Sequence, residues 1–251
     1  MMRINRRGIL RAGAASLLVA IAQIPAETAS AFSYGPESQS EWDGWPMVCK
    51  VRFTVSLEGR NSARANSYPP EVIQQWADQY GDCWGLLHHH CAGILFLQRA
   101  KFAPSKTERQ FDLNSALQQH QYSLKTCPKS NRQFAVALTH MGMVYTESGE
   151  FAKAKRMFDD AISSHPDFDG AYLAKGIMLK RQGRRQDSLD ALLAGSAATQ
   201  ASSAELENAL GLAYFDSGQF ENARAAARRA YALGYPLPTL RDKLAKVGFP
   251  L

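Results

Sequence analysis

The sequence predicts an all-α chain folded as a helical solenoid, on three observations. Gly142, Gly176 and Gly211 stand 34 and 35 residues apart, a period at which helix–turn–helix units stack. The surroundings of these glycines recur in register. Leu138-x₂-Met141-Gly142-x₂-Tyr145 returns as Leu210-Gly211-x₂-Tyr214, and Gly149-x-Phe151-x₂-Ala154 returns as Gly218-x-Phe220-x₂-Ala223. Pro166, Pro236, Gly248 and Pro250 fall at the ends of these periodic stretches, where helix breakers belong.

Residues 1–31 read as a signal peptide. Arg3, Arg6, Arg7 and Arg11 form a positive n-region, an apolar run from Ala12 to Ile24 ends at Pro25, and Ala29-Ser30-Ala31 offers small residues before a cut near Phe32. The apolar run is shorter than the ~20 residues a membrane span needs. Asn5-Arg6-Arg7-Gly8-Ile9-Leu10-Arg11 is similar to the twin-arginine signal that exports folded proteins. An ordinary Sec signal with adjacent arginines fits equally, and the two stay open. No Cys follows the apolar run to take a lipid. The expectation is a periplasmic or secreted bacterial protein with no stable membrane anchor after cleavage. Without residues 1–31 the chain has 25 basic and 22 acidic residues, a net charge of +3. That is no footprint for nucleic acid, which needs a concentrated basic stripe.

Residues 32–81 form an N-terminal arm. Gly, Ser, Pro and Asn are frequent there and no period is sustained, so an irregular arm is expected, with Trp42, Trp45 and Phe53 as its apolar material. Pro69-Pro70 open a short helix running to about Tyr80. Residues 82–128 read as a divergent helix pair. A helix over 82–102 is expected to start at a capping Asp82, and a second over 107–126 to end before Pro128. Three repeats follow at 135–168, 169–202 and 204–237, the second degenerate and the third carrying Glu207 where a large apolar residue is usual. After Pro238, Leu240, Leu244 and Val247 recur at helical spacing, so residues 238–251 should cap the array.

This register resembles the tetratricopeptide repeat, in secreted or periplasmic bacterial form, with Leu138 where the family often has Trp. The resemblance is close over residues 135–248. It implies a right-handed solenoid whose units bury their apolar faces only by stacking, so at least ~3 are needed. It also implies a scaffold or adaptor rather than an enzyme, with no cofactor and with a protein or peptide partner in the cell envelope. The binding surface would be the groove lined by the first helix of each repeat. By register that groove presents Thr139, Met143, Thr146 and Glu147 from the first repeat, Leu173, Ile177, Lys180 and Arg181 from the second, and Asn208, Leu212, Phe215 and Asp216 from the third. His90, Ile94 and Gln98 would extend it, and the arm's own aromatic residues compete for it.

The four cysteines, Cys49, Cys83, Cys91 and Cys127, all lie in the predicted exported part, where disulfides form. A Cys83–Cys91 bridge would span eight residues of one helix, about 12 Å at 1.5 Å per residue, beyond the roughly 7 Å limit between Cα atoms. An antiparallel pair brings the start of its first helix to the end of its second. The pairing expected is therefore Cys83–Cys127, leaving Cys49–Cys91 to pin the arm.

His88-His89-His90-Cys91 draws the eye as a metal site. Successive helical side chains fan out by about 100°, so only His88 and Cys91 share a face. His120 on the partner helix is the remaining candidate ligand. A metal- or haem-handling protein using His88, Cys91 and His120 is one alternative, and an enzyme with its active site in the divergent head is another. No Cys-x₂-Cys-His haem motif and no Gly-rich phosphate loop occurs. No third group is identified to orient a Cys–His pair.

Overall fold

The computed structural model describes residues 34–251, so the expected signal peptide lies outside the described residues. The described residues contain helices and no strand. The arm is more ordered than its composition suggests. It folds into α1 (Gln39–Gly44), α2 (Met47–Thr54) and α3 (Leu57–Arg60), followed by α4 (Pro70–Tyr80). Local caps account for this: Ser38 and Ser56 accept hydrogen bonds from the backbone N–H groups of Glu41 and Gly59. The rings of Trp42, Trp45 and Phe53 then bury themselves together against Leu87, Cys91 and Leu95. The irregular arm expected from composition is thus corrected to a set of short helices.

The head pair differs in one detail from expectation. Residues Gly81–Leu86 form a 3₁₀ turn, and the first long helix, α5, runs Leu87–Phe102, so Asp82 does not cap it. Its partner α6 (Lys106–Ser123) is capped by Ser105, whose Oγ accepts from the Glu108 N–H at 3.1 Å. Cys49 is bonded to Cys91 with Cα atoms 5.4 Å apart, and Cys83 to Cys127 at 4.2 Å. The second bridge ties the 3₁₀ turn to the segment after α6, and the first ties α2 to α5.

Three hairpins follow: α7 (Arg132–Glu147) with α8 (Phe151–Ser164), α9 (Asp169–Arg181) with α10 (Arg185–Ala198), and α11 (Ala204–Asp216) with α12 (Phe220–Ala232). Within each, the turn is closed by the same device. Gly149, Gly183 and Gly218 adopt left-handed backbone angles, with φ of 77°, 75° and 73°. The following N–H reaches back to the carbonyls of Tyr145, Leu179 and Tyr214 at 2.8, 3.0 and 2.9 Å. This is the closure that glycine permits at a helix C-terminus.

Helices α5, α7, α9 and α11 lie side by side, and α6, α8, α10 and α12 pair with them in a second row, giving the helical solenoid. The packing rule is visible at Gly142, where a Cβ atom would collide with the Phe158 ring of α8. Leu192 takes the same place against Gly176. In the head pair that place belongs to His120: its ring lies 2.6 Å from where a Cβ on Gly93 would sit. A last helix, α13 (Thr239–Lys246), buries Leu240 and Leu244 completely against α11 and α12.

Candidate protein-binding groove

Side-by-side packing of α7 and α9 leaves a cleft of about 380 Å³ between them. Thr139, Met143, Thr146 and Glu147 of α7 line it, and α9 contributes Leu173, Ile177 and Arg181. Spacings of three and four residues put them on one helical face. Ile177 stands at the cleft 48% exposed, an unusual degree for an isoleucine in a packed array. Thr139 is buried in the cleft wall, and its hydroxyl, closed off from solvent, has no hydrogen-bond partner among the described residues. Thr146 has no such vacancy, because its hydroxyl donates to the Gly142 carbonyl at 2.8 Å.

Charge fixes one end of the cleft. Glu147 receives Arg181 Nη1 at 2.6 Å and Arg109 Nη2 of α6 at 3.0 Å, so one carboxylate joins three helices. Lys180 points away from the cleft and pairs with Asp216 of α11 at 2.6 Å. Both residues sit outside the lining, in a bridge between repeats.

The third repeat departs furthest from the expected groove. Phe215 packs on Phe220 with ring centres 5.3 Å apart, and Lys243 of α13 lies 5.4 Å from its ring. Leu212 joins the same cluster around Leu240 and Leu244. The capping helix therefore claims these two side chains. Asn208 is buried, its Oδ1 without a partner among the described residues, but it does not line the α7–α9 cleft. At the other end the arm covers the extension: Ile94 packs against the Trp42–Phe53 cluster and His90 is buried. The arm thus covers α5 and leaves the α7–α9 cleft open among the described residues.

Lys101, His140, Phe158, Phe168, Gly170 and Ala174 also line the cleft, and the repeat register did not single them out. His140 and Ala174 were within reach, since each follows a predicted groove residue and lies three residues before another. Phe168 belongs to the inter-repeat loop, where register says little.

The histidines assemble differently from any candidate metal set. Cys91 is consumed by its disulfide, and His88 is turned to the arm, where its Nδ1 meets Arg52 Nη2 at 3.2 Å. His120 instead joins His90, Nδ1 to Nδ1 at 3.2 Å, with the His140 ring centre 4.9 Å from that of His90 and 5.2 Å from that of His120. The set His88, Cys91 and His120 is therefore not brought together. No group of three or more His, Cys, Asp or Glu among the described residues is disposed to hold a metal ion. Burial pushes His90 and His120 well below the ordinary histidine range, and neighbouring imidazoles add to the shift. His140 is also lowered by burial, although its Nδ1 donates to the Val136 carbonyl at 3.0 Å. Three neutral imidazoles, one from each of α5, α6 and α7, form the joint between head and first repeat.

Two segments of the repeat array, residues 135–168 and 204–233, match the family model of the tetratricopeptide repeat. Among solved structures, the chain is similar to residues 41 to the end of MamA from Desulfovibrio magneticus RS-1. The identity is 23% and the TM-score 0.42, over 61% of this chain and 82% of that one. It is also similar to TTC0263, a thermophilic TPR protein of Thermus thermophilus, at 18% identity and a TM-score of 0.44, over 65% of this chain and 92% of that one. No curated protein matches. Repeats of this kind are protein-interaction scaffolds, and they typically carry no catalytic machinery.

Proposed function

We propose that this chain, an array of tetratricopeptide repeats, is an exported adaptor that holds a peptide or helix of a protein partner in the bacterial cell envelope. The cleft between α7 and α9 is the surface that takes it. The observation that carries this reading is an apolar slot of about 380 Å³ with Ile177 presented in it, half exposed. Met143 and Leu173 would receive apolar side chains of the partner, while Arg181 and Lys101 favour acidic flanks. Envelope location is supported by the arginine-rich leader with its apolar run and by the pairing of Cys49, Cys83, Cys91 and Cys127 in two disulfides, which persist in oxidising compartments. The partner belongs to an assembly or export system of that compartment.

Affinity capture from the periplasmic fraction of the native host tests both parts. Wild-type protein should be recovered there, beginning near Phe32, with a bound partner. Ile177→Glu should retain the fold, because the side chain is already half exposed, and weaken the partner by at least about tenfold, since an anchor residue contributes ≥ 2 kcal/mol. Leu237→Glu, at a somewhat more exposed apolar site outside the cleft, should capture as wild type does. Equal capture by Ile177→Glu and wild type would remove the cleft from consideration.

A further inference from the structure

A second pocket, of about 450 Å³, opens between the arm and the start of α5, and none of its lining residues is shared with the α7–α9 cleft. Its apolar walls are Trp45, Phe53, Val55, Leu57 and the Cys49–Cys91 disulfide. Volumes and linings of this sort suit small molecules, with a few polar groups to fix orientation. The polar groups here are unusual in their charge.

Arg52 is held in the wall by neutral acceptors alone. Its Nε donates to the Trp84 carbonyl at 2.9 Å, and its Nη2 donates to the Gly85 carbonyl at 2.9 Å and meets His88 Nδ1 at 3.2 Å. The guanidinium also lies 5.5 Å from the Trp84 ring centre. These contacts fix the fork while leaving Nη1 without an acceptor among the described residues. Arg60 lies near enough for its charge to be felt at Arg52, and its Nε meets only the Ser56 carbonyl. Neither arginine pairs with a carboxylate among the described residues. Arg99 offers the contrast within the same region, since Glu37 and Glu41 both meet it.

The remaining ionisable groups on the wall leave a surplus of positive charge. Glu58 contributes one negative charge. His88 stays neutral at physiological pH, held at about 4 by burial and by the Arg52 charge. Two guanidinium groups against one carboxylate leave room for a single negative charge, and an apolar chamber lies beside them.

We propose that this pocket binds an amphipathic monoanion, a carboxylate on an apolar tail. The tail packs among Trp45, Phe53, Val55 and Leu57, and the carboxylate takes Arg52 Nη1 and the Arg60 guanidinium. Both contacts are charge-assisted, the strong class of hydrogen bond.

Titration calorimetry of the disulfide-bonded mature protein with octanoate and with 1-octanol is the test, the two probes sharing a tail and differing in the charged head. Octanoate should bind, and 1-octanol should bind at least about tenfold more weakly, the value of one charge-assisted hydrogen bond. Arg60→Gln should weaken octanoate about tenfold on the same basis and leave 1-octanol unchanged. Arg60 is exposed at the end of α3 and supports no other element. Leu57→Glu, at a side chain 77% exposed in the pocket lining, should also weaken octanoate by placing a like charge there. Absence of octanoate binding overturns the proposal. So does octanoate binding that 1-octanol matches, or that Arg60→Gln leaves unaltered.

Discussion

Mild acid should weaken the joint between the head pair and the first repeat, because two buried imidazoles, His90 and His120, meet a partly buried third, His140, there. His120 Nε2 has no hydrogen-bond partner among the described residues, so an imidazolium at that position would bury an unmet N–H beside two other rings. Lys101 opposes a charge on His140 from the end of α5. All three folded-state pKa values are lowered, whereas an unfolded histidine titrates near 6.5. The sign follows. Above about pH 6.5 both states are neutral and nothing is lost; below it the unfolded chain binds protons that the folded chain refuses, so stability falls. At pH 5.5, one unit below the unfolded value, each refused proton costs about 1.4 kcal/mol. His90 and His120 together therefore remove about 3 kcal/mol, and His140 and His88 act in the same direction. That is a large part of the roughly 5–15 kcal/mol that holds most domains folded.

The assay is urea unfolding with disulfides intact at pH 7.5, 6.5 and 5.5, a window in which carboxylates contribute little. His120→Phe supplies the comparison, because Phe158 already fills the equivalent place against Gly142. The variant should flatten the pH dependence by up to about 1.4 kcal/mol per pH unit, whatever its stability at pH 7.5. A wild-type midpoint unchanged between pH 7.5 and 5.5 would refute the argument, as would a variant with the wild-type slope.

Two further outcomes follow from buried chemistry elsewhere. The Cys83–Cys127 bridge closes 44 residues, and Cys83→Ser with Cys127→Ser should cost up to about 4 kcal/mol by loss of the chain constraint. Hydrogen exchange should show the loss in α4–α6 before the repeats. Glu207 is fully buried and meets Arg229 Nε at 2.6 Å and the Ser196 hydroxyl, while Arg229 remains 44% exposed. Arg229→Ala strands a buried carboxylate and should cost about 3–5 kcal/mol. Glu207→Leu frees an arginine that can turn to water and should cost under about 1.5 kcal/mol. Thermal melts giving the two variants equal losses would contradict this asymmetry.

The repeats were legible because their signals are local. Gly149, Gly183 and Gly218 close the hairpins through backbone bonds that span five residues, and such bonds leave a mark at fixed spacing. The same regularity placed Thr139, Met143, Leu173 and Ile177 on one cleft. It failed at Phe215 because α13 returns over that side chain, a contact made by residues almost thirty positions later. It also read the arm as irregular, since α1, α2 and α3 are too short to show a period, and α1 and α2 are held by burial against α5.

Periodicity alone was enough to specify stacked helical hairpins and the face that α7 and α9 offer, because a helix repeats every 3.6 residues whatever lies beyond it. The meeting of His90, His120 and His140, the diversion of His88 toward Arg52, and the unpaired charge in the arm pocket depend on which helices touch. Those contacts join positions 20 to 50 residues apart. No short-range pattern encodes them; they exist once the chain has packed.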